Sequence, residues 1–258
     1  MVTIADTAFS IAEVRAAETH LPPKSRLFDD PYARHFLAAG AHAREATERY
    51  LSLPFFRDGI RLRTRFIDDE VRAALRAGAR QLVLLGAGFD ARGIRLAEAT
   101  SAGVTTFEVD TPEQLARKRA CLEAAEVVVP ASVRHVPFDF AESRLEGVLG
   151  PRLADAGWSS EQRTLFVWEG VIGYIDSEAI DDSLRFMASA SHVGARVIFT
   201  FGEANLDPVP AAKRVRRAGF ASYEEVGLDE VWRNLLATEP PAAARHARMG
   251  VANAAPVR

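Results

Sequence analysis

The sequence predicts an α/β fold, a Rossmann-like and mostly parallel sheet of about seven strands under an N-terminal helical cap. Three observations carry that expectation. From Arg80 onward short apolar runs alternate with amphipathic stretches, a glycine turn follows the first run, and an acid ends the second. A length of 258 residues suits one large domain with an appendage. We therefore expect residues 1–79 to form the cap, as part of the same domain, and residues 80–258 to form the core.

Taken in order, Ile11 to His20 has helical character, and the Pro22-Pro23 pair ends that helix. The Asp30-Pro31 step should cap and start another, because proline at the first helical position gives up an N–H that has no helical partner. QLVLLG, VTTFEVD, SVRHVPFDF, TLFVWEG and ARVIFTFGE then read as strands. PEQLARKRACLEAA and DSEAIDDSLRFMASA read as the helices between them. Strands that are apolar throughout belong to a sheet covered on both faces. The tail from Phe220 adds a helix, DEVWRNLLA, and a last strand near ARMGVANA.

Composition narrows the partners. Lys plus Arg number 32 against 35 Asp plus Glu, a net charge of −3, which disfavours a dedicated nucleic-acid binder. Hydrophobic residues at 48% and charged residues at 26% are those of an ordinary globular chain. The single cysteine, Cys121, excludes an intramolecular disulfide, and no Cys/His spacing suggests a metal site. No apolar run approaches the ~20 residues of a membrane span. MVTIADTAFS lacks the pattern of a secretory signal. The expectation is a soluble cytoplasmic enzyme with a small-molecule substrate; nothing fixes its oligomeric state.

LLGAGFDAR is the most informative stretch. Gly86 and Gly88 permit a sharp turn that brings backbone N–H groups close to a ligand. Asp110, at the end of the second strand, can accept hydrogen bonds from both hydroxyls of a ribose. Together they point to an adenosine-containing cofactor. GAGFDA also satisfies the G-x-G-x-x-G/A dinucleotide pattern, so NAD remains a reading. Against it, Phe89-Asp90-Ala91-Arg92 crowds the place of a pyrophosphate, and no second domain remains for a hydride-transfer substrate. S-adenosylmethionine, without phosphate, suits the wider turn.

The segments TAFSIAEVRAAET, LFDDPYARHFL, RTRFIDDEV, LVLLGAGFDARGIRL, FEVDTPEQLARKRACL, PFDF and VWEGVIGYI run in the order of the leucine carboxyl methyltransferase family. The chain especially resembles its bacterial branch of S-adenosylmethionine-dependent enzymes, which includes polyketide carboxyl O-methyltransferases of the tetracenomycin type. The resemblance spans roughly residues 7 to 200 and implies the class I methyltransferase fold with S-adenosyl-L-methionine as cofactor. By the family's pattern Arg63 pairs with the methionine carboxylate, a task that suits a guanidinium; read alone, it would be a solvated helix charge facing Asp69. Gly86 and Gly88 line the cofactor and Asp110 holds its ribose. Asp139 and Phe140 meet the adenine, and Glu169 joins the pocket at the carboxyl edge of the sheet. Tyr174 matches a tyrosine near the reaction site, and Arg15 a basic position that closes over the cofactor beside the substrate pocket. Arg92 and Arg95 read as braces between cap and sheet.

The chain departs from the family at three places. Gly173 replaces a larger apolar residue and should open the substrate pocket beside Tyr174. Trp168 replaces a smaller one and should wall that pocket. The segment after Gly202 is short, which reduces the lid and leaves little surface for docking a protein acceptor.

Methyl transfer is an in-line displacement governed by positioning and by exclusion of water. A carboxylate acceptor, with a reference pKa near ~4, arrives ionised and needs no general base. A phenol, near ~10, would want one, and His20 or His35 in the cap would be the first suspects. All six histidines, His20, His35, His42, His135, His192 and His246, are scattered and read as surface or loop residues. Carboxyl O-methylation is therefore favoured over phenolic O-methylation. An NAD-dependent oxidoreductase and a non-catalytic cofactor-binding protein of the same fold stay open as alternatives.

Overall fold

The computed structural model describes residues 4–53, 55–140, 145 and 147–256. Among them seven strands form one sheet: β1 (Gln81–Leu85), β2 (Thr105–Asp110), β3 (Val133–Pro137), β4 (Thr164–Trp168), β5 (Ala195–Gly202), β6 (Ser222–Gly227) and β7 (Ala247–Asn253). Their spatial order is β3-β2-β1-β4-β5-β7-β6. The first five run parallel, and β7 is antiparallel to both β5 and β6. Every residue of β1 and β4 is buried, as expected of central strands covered on both faces. Because side chains alternate across a strand, Val83, Leu85, Phe166 and Trp168 enter one core cluster, while Leu82, Leu84, Leu165 and Val167 enter the other.

The helices are α1 (Ile4–Thr19), α2 (Arg44–Leu51), α3 (Phe56–Arg76), α4 (Arg92–Arg95), α5 (Pro112–Ala124), α6 (Leu149–Asp155), α7 (Ser177–Ser189), α8 (Ala211–Ala218) and α9 (Leu228–Leu236). Their starts are written in local chemistry. Thr111 caps α5 by accepting from Gln114 N–H at 3.2 Å, with Pro112 at the first helical position, and Asp176 caps α7 by accepting from Ala179 N–H at 2.8 Å. In α3, Ile67, Val71, Ala74 and Leu75 recur at helical spacing and join the cluster under β1 and β4, which ties the cap to the sheet.

Two local expectations change. Asp30 does cap, accepting from Ala33 N–H at 3.1 Å, but the chain then runs through two 3₁₀ stretches, Ala33–Phe36 and Ala38–Ala43, instead of an α-helix. Packing decides this: Phe36 stacks on Phe89 with ring centres 4.7 Å apart, and Gly40 passes so close to α1 that a Cβ there would lie 2.5 Å from the Phe9 ring. The other change is β6, whose sequence SYEEVG does not read as a strand. It forms at the sheet edge through the backbone ladder with β7, where mostly exposed glutamates fit an edge strand.

Candidate active site

The order of strands reverses at β1, whose neighbours β2 and β4 lead to opposite halves of the sheet. Ligands of open α/β sheets sit at the carboxyl ends of the strands at such a reversal. A cavity of about 590 Å³ opens there. Gly86 and Gly88 form its floor, both left-handed, at φ +70° and +48°. A side chain at Gly86 is doubly excluded, since a Cβ would lie 2.4 Å from Cγ2 of Val171. The turn is stitched to the neighbouring strand: Gly88 N–H donates to Asp110 Oδ2 and Thr111 N–H to Oδ1, both at 2.7 Å. Burial pushes the Asp110 carboxyl up from its ordinary value, against those two N–H groups. Beneath the turn, fully buried Lys118 pairs with Glu108 at 2.7 Å and donates to the carbonyl of Asp90.

The opposite wall is built of guanidinium–carboxylate pairs. Arg63, on α3, donates through Nε to Glu169 Oε1 at 2.7 Å, so its ion-pair partner is Glu169; it is Arg65 that pairs with Asp69. Glu169 Oε2 accepts from Arg92 Nη1 at 2.7 Å. Arg92 is buried completely and also holds Asp90 and, at 2.7 Å, Asp68. Arg95 grips the same Asp68 at 2.6 Å, and both Arg95 and Arg15 reach Asp30. Burial alone would raise the Glu169 carboxyl, but Arg92 and Arg63 hold it well below the usual carboxylate range. Asp68 is likewise lowered, by Arg95 and Arg92 against burial. Arg63 Nη2 is buried with no hydrogen-bond partner, 3.8 Å from where a Cβ on Gly170 would be.

Arg15, Arg63, Gly86, Gly88, Asp110, Asp139, Phe140, Glu169 and Tyr174 all line this cavity. Phe140 meets Phe138 edge-on at 5.1 Å. Tyr174 is half exposed, and its hydroxyl donates to Thr7 Oγ1 on α1 at 3.4 Å. Arg15, which lines the first cavity from α1, is buried against the glycine turn and donates to the Phe89 carbonyl at 2.6 Å. Trp168, expected to wall the substrate pocket, lines neither of these two cavities: at the end of a strand covered on both faces, it is fully buried in the core. Gly173 lines a second cavity of about 380 Å³, which shares Arg63, Gly170 and Tyr174 with the first. His20 and His35 line neither.

Sequence reasoning missed Asp68, the acid that binds Arg92 and Arg95 together. Its signal was present: Asp68 falls on the face of Thr64, Val71 and Leu75, and a carboxylate at core spacing requires a buried cation.

The model of the family described as leucine carboxyl methyltransferase matches residues 8–188. A Frankia alni protein, named by inference as an S-adenosyl-L-methionine-dependent methyltransferase, is 37% identical over 231 residues, 87% of this chain and 78% of that protein. A Streptomyces coelicolor protein named in the same way is 34% identical over 205 residues, covering 76% of this chain and 68% of the relative. Among solved structures, an inferred methyltransferase from Thermobifida fusca aligns with a TM-score of 0.56 at 14% identity, over 95% of this chain and 94% of that one. A Streptomyces avermitilis protein of the duf574 family aligns at 0.54 and 15% identity, over 94% and 96%. At such identities the structural likeness speaks to the fold alone.

Proposed function

The chain belongs to the leucine carboxyl methyltransferase family, its cofactor is S-adenosylmethionine, and on that premise we propose that it methylates a carboxylate oxygen of a small molecule of secondary-metabolite, polyketide-like type. The observation that carries the carboxylate is the edge shared by the two cavities. Its charged group is the Arg63 guanidinium, a donor with a buried, unpartnered Nη2, which suits an anionic nucleophile. A carboxylate reaches that edge already ionised, whereas a phenol would have to be deprotonated there.

The residues of the first cavity fit the cofactor. Asp110 keeps a lone pair on each oxygen beyond those used by Gly88 and Thr111 and would accept from the ribose hydroxyls. Asp139 and Phe140 would meet the adenine, and Arg63 the methionine carboxylate. Glu169, gripped by Arg63 and Arg92, would hold Arg63 at the right angle and offer its charge to the ammonium group. When bound, the cofactor supplies an electrophilic sulfonium methyl. The protein's part is to align, to exclude water and to leave Arg63 facing the incoming oxygen, which is catalysis by position. Neither nucleic acid nor membrane has a part in this reading, and no described helix is long and apolar enough to cross a membrane.

The test uses methyl-labelled S-adenosylmethionine with a panel of aromatic and aliphatic acids and phenols. Transfer should yield a product that releases its label in mild alkali, as a methyl ester does and an aryl ether does not. Alkali-stable label would move the reading to phenolic O-methylation. Cofactor binding without transfer to any compound would favour a protein that binds and does not turn over.

A further inference from the structure

Resting on the methyl-transfer reading, we propose that the second cavity receives the body of the methyl acceptor, and that its occupant is a ring-bearing organic anion. The cavity meets the first at Arg63, Gly170 and Tyr174, so a molecule inside it can present an oxygen to the cofactor side without entering the cofactor's own space. At about 380 Å³ it falls within the ~300–1,000 Å³ of small-molecule sites.

Its walls define the chemistry. Phe55 and Phe56 from the cap, Leu228 from the start of α9 and Met249 from β7 make a largely apolar chamber. Aromatic and aliphatic walls favour a flat apolar body, which would lose its hydration on entry. The charged side chains lining the chamber, among the described residues, are Arg63 and Arg248, and no carboxylate lines it. Arg248 is paired with Glu203 at 2.8 Å, whereas Arg63, where the two cavities meet, keeps an unpartnered Nη2. With Nε on Glu169, four N–H bonds of Arg63 remain, enough for the cofactor's carboxylate and the acceptor's. An anion therefore gains at Arg63 what a neutral alcohol of the same shape does not.

Gly173 sets the room. It lines this cavity and not the first, and its backbone is not left-handed. The nearest neighbour of a Cβ built there is Asn205, at 3.6 Å, so a larger side chain can be added by filling the chamber, without straining the turn. Gly173 is on this argument a specificity-determining residue.

Calorimetry of 2-naphthoate against the full chain saturated with S-adenosylhomocysteine tests the assignment. We expect 2-naphthoate to bind without displacing S-adenosylhomocysteine, and 2-naphthalenemethanol to bind at least about tenfold more weakly. Gly173→Leu should weaken 2-naphthoate by about tenfold or more while changing the Kd for S-adenosylhomocysteine by less than about twofold. Phe56→Ala, which trims a half-buried wall residue, should weaken 2-naphthoate several-fold, and it decides the matter if Gly173→Leu also loses S-adenosylhomocysteine. No 2-naphthoate binding, displacement of S-adenosylhomocysteine by it, equal affinity for the alcohol, or unchanged affinity in both variants overturns the proposal. Wild-type protein that fails to bind S-adenosylhomocysteine at all overturns the methyl-transfer reading first, and this one with it.

Discussion

Asp110 and Glu169 face the same cavity from either side of β1, Asp110 at the end of β2 and Glu169 just after β4, but different chemistry holds each. Asp110 is fixed by two backbone N–H groups and carries a carboxyl raised by burial. Glu169 is fixed by two guanidiniums, whose charge more than offsets its burial. Neutral N–H donors leave the first acid free to take further hydrogen bonds; full-charge partners make the second part of a scaffold. On the proposed reading, the difference separates a wall that would recognise the cofactor from a wall that supports, with Arg63 as the supported group lining the cavity.

The sharpest way to break that division is to attack the support where it is deepest. Asp68→Ala leaves Arg92 and Arg95 buried without their shared acid and should destabilise the protein by about 3–5 kcal/mol in urea unfolding. A loss below ~1 kcal/mol would mean that the network is solvated and does not hold Arg63 in place.

Next in size is Asp110→Asn, which keeps the shape and an acceptor oxygen but loses the charge. Affinity for S-adenosylhomocysteine should fall about ten- to a hundredfold, with a far smaller change in stability. Equal affinity in wild type and variant removes Asp110 from the ribose.

A smaller effect separates the walls by sign. Glu169 is lowered from its ordinary 4.5, so it contributes stability above that pH and loses it as acid carries the protein toward the depressed value. Asp110 is raised from its ordinary 3.8, so the folded state takes up its proton first and gains relative stability as pH falls through that window. In unfolding measurements between about pH 3 and pH 7, the gap between wild type and Glu169→Gln should shrink on acidification. Against Asp110→Asn, wild type should improve on acidification, the opposite sign. Curves of the same sign would show that both acids sit in one electrostatic environment.

The smallest effect belongs to Tyr174→Phe. Its hydroxyl makes one long bond, to Thr7, from a side chain that is half exposed. The melting temperature should move by less than ~2 °C. A larger drop would place Tyr174 among the supports.

The wall of Gly86, Gly88 and Asp110 was open to sequence reading because its parts are local. Gly86, Gly88 and Asp110 sit at strand ends that hydrophobic runs announce, and the turn demands glycine for steric reasons that spacing alone exposes. Arg63 was legible only through the family resemblance, since taken alone it reads as a surface charge beside Asp69. Trp168 was misplaced because its position at a strand end is visible in sequence while the face it occupies is not. The edge strand β6 was missed because two glutamates mask a strand whose pairing comes from β7.

By itself the sequence determined the alternating α/β order, the turn, the acid at the end of β2 and the family, all of which follow from short-range patterns of burial and backbone geometry. Only the tertiary structure decided that Glu169 is shared by Arg63 and Arg92, that Asp68 ties α3 to α4, and that the chamber lined by Gly173 meets the first cavity at Arg63. Those contacts join residues more than twenty positions apart, and ion pairs at such separations exist only where the packing of α3 on the sheet brings their charges out of water together.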